Sequence, residues 1–281
     1  MKTVRSSSGF RVFFGLELRE TVLSRWFQVY MLGFAAVLGL FFAFGLAESQ
    51  IMGFQGLGRT LLTFFRATLV ILPLFVLLTT ARTLVEDRDS GAWEYMLAFP
   101  FSLSSYYWGR FWGRALGITS PLVLALFAGG LVEAIRGRAV PWGLIAGFAA
   151  IVAALVACFL GVAMLISVTS RAQETAIAGA FAVWLSVEAL VDALLLGLLI
   201  RAQLSAEVVL GIAMLNPVQA GRVASIGLFE PELSMLGPLS YTLLDELGSV
   251  GIFIWALAWP FAIGLAAAAV GLWSMKKNDM V

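Results

Sequence analysis

Glu188 and Asp192 are the two residues whose type and place most demand an explanation. They stand four apart in an apolar run, so on an α-helix they share one face, about 18 and 24 Å from the start of that helix at 1.5 Å per residue. Carboxylates at such depth are costly in hydrocarbon and must face a protein interior or a seam between chains. Two roles fit them: a pathway or switch site, or a protonated, hydrogen-bonded pair that fixes packing. Arg66, near the outer end of another apolar run, either pairs with one of these acids or snorkels to the headgroups. Other chemistry is poorly supplied. The chain has no histidine and one cysteine, Cys158, inside an apolar run, which removes histidine bases, disulfide frameworks and Cys/His zinc sites together. Its nine methionines are dispersed rather than clustered at ligand spacing. The expectation is a non-catalytic chain that binds no metal and no cofactor of its own.

A second constellation lies in Arg82–Ser102. Glu86, Asp87, Asp89 and Ser90 precede Ala92–Ala98, and acids with a capping hydroxyl suit a helix N-terminus, where free amides and the positive dipole end meet them. Pro100 disfavours helix at Phe99. The spacing predicts a helix of about two turns across the membrane face, carrying Trp93, Glu94 and Leu97 after Gly91.

The elements that must position these groups follow from composition. With 61% hydrophobic and 12% charged residues, the chain is far too apolar for a water-soluble domain. The net charge of +1, without basic blocks, argues against nucleic acid as a partner and leaves membrane lipids. A bilayer core requires about 20 apolar residues per helix. Six runs qualify: Phe27–Leu46, Ala67–Ala81 extended outward to Thr60, Ala115–Val132, Trp142–Val168, Ala176–Ile200 and Val250–Trp273. The predicted fold class is all-α, a single polytopic domain of six transmembrane helices over 1–281. It has an entry helix at 1–26, a loop at 82–114 and an outer loop at 201–249.

Lys2, Arg5, Arg11, Arg19, Arg25, Arg82, Arg88, Arg110, Arg114, Arg171, Lys276 and Lys277, 12 of the 18 basic residues, fall on the side of the termini, which places both termini in the cytoplasm. Trp26, Tyr106, Tyr107, Trp108, Trp112, Trp142, Trp259 and Trp273 lie near span ends and read as headgroup-layer anchors. In the outer loop, Val208–Leu215 and Val218–Leu228 are each too short to cross and are separated by Asn216-Pro217. They read as two short helices dipping into the outer leaflet, with Asn216, Pro217 and Arg222 forming either an outer gate or a platform for a partner. No Gly-Lys-Ser/Thr phosphate loop is present, so if ATP drives this chain, another chain binds it.

The order Glu86-Asp87, Gly91, Glu94, Leu97, Pro100, Gly109-Arg110-Phe111 resembles the coupling-helix loop of type-2 ABC transporter permeases, with Ala92 and Arg110 in place of the usual Thr and Lys. Glu17-Leu18 with Arg25-Trp26, Glu174 and Trp184 with Asp192, and Asn216-Pro217 with Arg222 resemble the NosY-type members, whose transporter serves maturation of nitrous oxide reductase. The resemblance implies the type-2 ABC exporter fold in the bacterial inner membrane. It also implies a homodimer, an ABC ATPase subunit holding ATP and Mg and docking on the coupling loop, and a β-helical periplasmic accessory protein. Either a substrate is carried through the dimer, or the ATPase cycle is relayed mechanically to the accessory protein. General small-molecule, ion or lipid exporters and gliding-motility permeases share the same loop.

Overall fold

The structure is a computed structural model that describes residues 6–25, 27–36, 39, 55–92, 101–137, 140–191, 193–194, 197, 206–229 and 244–277. Every regular element among these is helical: α1 Ser6–Leu23, α2 Phe27–Ala36, α3 Gln55–Ala81, α4 Thr83–Asp89, α5 Leu103–Ile135, α6 Trp142–Thr169, α7 Gln173–Leu185, α8 Ala206–Leu215, α9 Pro217–Phe229 and α10 Gly248–Lys277. Among the described residues, four helices are long and apolar enough to cross a membrane: Phe65–Asp89, Leu103–Val132, Trp142–Thr169 and Gly248–Lys277. The first and fifth expected spans, Phe27–Leu46 and Ala176–Ile200, run partly outside the described residues.

The centre of the bundle is α6, the most apolar helix, with a mean hydropathy of 2.8 over its best window. Its Ala- and Gly-rich faces bury Ile151, Leu155, Phe159 and Leu160, and α3, α5, α9 and α10 pack around it. Lipid tails are as apolar as leucine, so close backbone approach rather than hydrophobic expulsion must hold such a bundle. The closest approach is where α6 crosses α10. A Cβ on Gly161 would collide with the backbone of Gly264, and one on Gly264 would lie 2.7 Å from Cys158 Cα. A second close seam joins α1 to α5 through Gly109, Gly113 and Gly117, which recur every four residues on one face. At Gly113 an added Cβ would lie 2.6 Å from the Phe14 carbonyl oxygen.

Two expectations are corrected here, for the acids of the loop at 82–114 and for Tyr106 and Tyr107. Glu86, Asp87 and Asp89 lie within α4, which continues α3 after a single turn residue, and Ser90 and Gly91 close its C-terminus, Gly91 at φ 71°. A glycine in the left-handed region is the usual C-terminal stop, and the expected helix after it, Ala92–Ala98, lies outside the described residues from 93 on. Tyr106 and Tyr107 are buried inside the bundle, 4% and 0% exposed, not placed among headgroups, and the Tyr107 hydroxyl occupies the space a Cβ on Gly271 would need. The helix of the third span, α5, begins at Leu103, capped by the Ser102 side chain accepting from the Ser105 amide at 3.2 Å, and carries Arg110 and Arg114 ahead of Ala115–Val132.

Candidate functional site

The seam of α1 against α5 carries a buried ionic cluster. Tyr106, Arg110 and Arg114 are spaced by four and share one face of α5. Gly113 lets α1 approach so closely that Glu17, 1% exposed, falls between the two arginines. Arg110 Nε donates to Glu17 Oε2 at 2.6 Å and Arg114 Nη2 pairs with Glu17 Oε1 at 2.6 Å, so both carboxylate oxygens are used. Arg110 Nη1 also donates to the Tyr106 hydroxyl at 2.5 Å and to Asp87 Oδ2, while Tyr106 donates to the same Asp87 oxygen at 2.6 Å. Asp87 thus binds α4 to α5, and Glu17 binds α5 to α1. On its other side α4 is fastened to the C-terminal end of α6: the Leu84 amide donates to Ser167 Oγ at 3.0 Å, and Arg88 donates to the Ser170 carbonyl. Orphan carbonyls at a helix end are thereby satisfied by a cation, which also suits the helix dipole.

Burial alone would push the Glu17 carboxyl up, but the Arg114 and Arg110 guanidiniums outweigh it and hold the group below the ordinary carboxylate range. Burial, and then the charge of Glu17, raise Glu20 one turn further along α1. The two act in opposite senses. Glu17 binds its proton more weakly in the folded state, so its pairs stabilise the fold above the ordinary carboxylate range and that stability is lost as pH falls through its lowered value. Glu20 penalises the fold while ionised, and the penalty disappears as pH falls through its raised value. On acidification the melting temperature in detergent should therefore first hold or rise slightly, then fall steeply below the ordinary carboxylate range. Glu17→Gln should flatten the steep limb and Glu20→Gln the shallow one.

A second polar cluster joins residues that the sequence offered as two separate sets. α8 and α9 meet at 105°, with Asn216 at the corner. Asn216 Oδ1 accepts from the Val218 amide at 2.9 Å and so caps α9, while its Nδ2 donates to the Val187 carbonyl at 2.7 Å. Val187 belongs to a π-turn, Ser186–Leu190, which follows α7 where a continuous α-helix was expected. Widening a turn frees a carbonyl, and the Asn216 amide takes one up. Pro217 supplies the preset first residue of α9. Arg222, one turn further along, pairs with Glu188, whose side chain is 6% exposed. The C-terminal carbonyls of α8 at Met214 and Leu215 accept from the indoles of Trp255 at 2.9 Å and Trp259 at 2.7 Å.

The partner of Glu188 among the described residues is therefore Arg222 and not Arg66, whose side chain is exposed on α3. Trp259 is a hydrogen-bonding brace rather than only a headgroup anchor. Of the loop residues, Glu86 is exposed, Asp87 points into the cluster and Gly91 ends α4. Trp93, Glu94, Leu97 and Pro100 lie outside the described residues, as does Asp192. In the sequence Arg110 and Arg114 carry only a topology signal, and the Gly109, Gly113, Gly117 spacing is the one local sign of the close seam that brings Glu17 to them.

Asn216 makes two separable bonds, which gives an expected result. Asn216→Ala should lower stability by about 1–3 kcal/mol, since a buried carbonyl and an amide both lose their partner. Asn216→Asp retains the cap but cannot donate to Val187, so a melting temperature close to that of the alanine variant would assign most of the cost to the π-turn bond. Recovery to the parent value would assign it to the cap.

Residues 12–280, nearly the whole chain, match the ABC-2 family transporter protein family. The chain is also 24% identical over 249 residues to a protein of Stutzerimonas stutzeri described as probable ABC transporter permease protein NosY, an alignment covering 86% of this chain and 90% of that one. With its apolar bundle of membrane-length helices, the chain belongs to the ABC-2 transporter family and is a membrane permease subunit of it.

Proposed function

We propose that this permease couples ATP hydrolysis in a separate ABC ATPase subunit to movement at the far side of the membrane, and that it works in the maturation of nitrous oxide reductase. The observation that carries the coupling is the shared guanidinium of Arg110. It holds Asp87, at the start of the segment on which the ATPase would dock, and Glu17, on the entry helix, in one ionic unit. A push on the loop after α4 therefore moves α1 and α5 together instead of bending α4 alone. At the other end, the bond from Asn216 and the ion pair of Arg222 tie the broken pair α8–α9 to the helix that bears Glu188. Through that tie the cycle reaches the outer segment, where it either moves a substrate or changes the hold of a β-helical partner.

In this reading two copies form the membrane unit, in the bacterial inner membrane, with the loop at 82–114 in the cytoplasm and ATP and Mg on the partner chain. Support for the maturation role is the match to the NosY relative across nine-tenths of that protein's length. Complementation tests it: this chain, with its own ATPase, should restore nitrous oxide reduction to a Stutzerimonas stutzeri strain lacking NosY. Correct insertion and ATPase binding without any recovery of reduction would point instead to a general exporter of the same family.

A further inference from the structure

Beside the Glu17 cluster is a cavity of about 360 Å³ between α1, α2, α3, α4 and α5, within the size range of small-molecule sites. Its lining is divided. Glu20, Thr21, Ser24, Arg82 and Glu86 line one part, at the ends of α1 and α3–α4, and Phe27, Phe75 and Ile118 line the other, within apolar helices. The Asp87, Arg110 and Arg114 side chains that also border it are committed to each other and to Glu17. Glu20, Arg82 and Glu86 make no ion pair among the described residues. Thr21 is 7% exposed, yet its hydroxyl has no hydrogen-bond partner among the described residues. A buried hydroxyl without a partner is costly and marks a place where something polar belongs.

The charges left over are two carboxylates and one guanidinium, next to an aromatic and aliphatic wall at the level where a membrane-length helix, Phe65–Asp89, ends. A ligand that satisfies all of them carries an ammonium, a phosphate and an apolar tail. We infer that this cavity binds the headgroup of a zwitterionic phospholipid of the ethanolamine type. Its ammonium meets Glu20, Glu86 and the Thr21 hydroxyl, its phosphate meets Arg82, and its glycerol and acyl chains pass Phe27 and Phe75 into the bilayer. An ammonium offers three donors, enough for both carboxylates and the hydroxyl. A glycerol-type anionic lipid would bring its phosphate beside two carboxylates with only Arg82 to offset them. The site is separate from the strut: none of the four polar residues named for the ligand belongs to the Glu17–Arg110–Asp87 unit.

The test is lipid retention. The chain is purified into nanodiscs of mixed phosphatidylethanolamine and phosphatidylglycerol and taken through stepwise detergent exchange, and the lipid that stays bound is counted by native mass spectrometry. One phosphatidylethanolamine per chain is expected to persist after phosphatidylglycerol is gone. Arg82→Gln and Glu20→Gln should each lower its retention about tenfold, the loss of one charge-assisted hydrogen bond. Ser24→Phe, which fills the cavity without changing charge, should displace the lipid while the melting temperature stays near the parent's. Equal retention of both lipids, or retention unchanged in all three variants, overturns the assignment. Protection by soluble phosphoethanolamine without retained lipid also overturns it and gives the site to a soluble phosphate ester.

Discussion

Gly264→Ala should leave little folded protein. The methyl group would fall on the Ala157 carbonyl and within 2.7 Å of Cys158 Cα, and these are backbone atoms of the central helix, which cannot swing aside as a side-chain tip can. Gly161→Ala meets the same crossing from the other side, on the backbone of Gly264. Separating the two helices to make room would open the seam on which the packing of α10 against α6 depends, because in a membrane the association energy is close packing itself. The expected cost exceeds about 4 kcal/mol, at the extreme of single substitutions. Yield of monodisperse protein and melting temperature in detergent measure it. Gly15→Ala is the control: nothing lies within 4 Å of its Cβ position, so only helix propensity changes, by up to about 1 kcal/mol in the favourable direction. A Gly264→Ala protein as stable as the parent would mean that α6 and α10 do not cross as described.

The second large effect belongs to Glu17. Glu17→Leu leaves Arg110 with one acidic partner and Arg114 with none of the pairs described here, both beneath the surface. Removing one partner of a buried ionic group strands the others, at a cost of about 3–5 kcal/mol. Replacing Glu17, Arg110 and Arg114 together by apolar side chains of similar volume should be less harmful to stability than Glu17→Leu alone, because the one charge then without its ionic partner is Asp87, which is at the rim and still accepts from the Tyr106 hydroxyl. The triple variant should fold yet fail to couple. That separation of folding from activity is what distinguishes a transmitting cluster from packing, and melting temperature read beside ATP turnover of the assembled complex reveals it.

Much of the architecture was legible because its signals are long or local. The α6 run is apolar over its whole length, and Pro217 after Asn216 marks a helix start from two adjacent residues. What failed was the joining of distant positions. Glu188 and Arg222 are 34 residues apart, one in an expected span and one in an expected loop, and nothing in spacing shows that α9 folds back against the π-turn. The π-turn itself has no composition signal; its Val187 carbonyl is taken up by Asn216, 29 residues further on. Ser90 and Gly91 fit both the end of one helix and the start of the next, so local spacing does not show that the acids before them belong to α4, a helix that continues α3. The type-2 loop pattern was recognisable as an ordered string, but the inward turn of Asp87 depends on Arg110 and Tyr106, 23 and 19 residues further on.

The central claim is that the Asp87–Arg110–Glu17 unit carries the motor's movement into the bundle. Asp87 is at its rim, 19% exposed, so Asp87→Asn should keep the fold and a hydrogen-bond acceptor for Arg110 while removing the charge that holds α4 to it. The deciding measurement is ATP turnover by the ATPase in proteoliposomes, with the parent permease and with Asp87→Asn, at equal complex formation. Turnover stimulated by the parent and reduced about tenfold or more in the variant, the effect of losing one ionic hydrogen bond in the transmitting state, is the result the account predicts. Full stimulation by an Asp87→Asn complex of normal stability would contradict it.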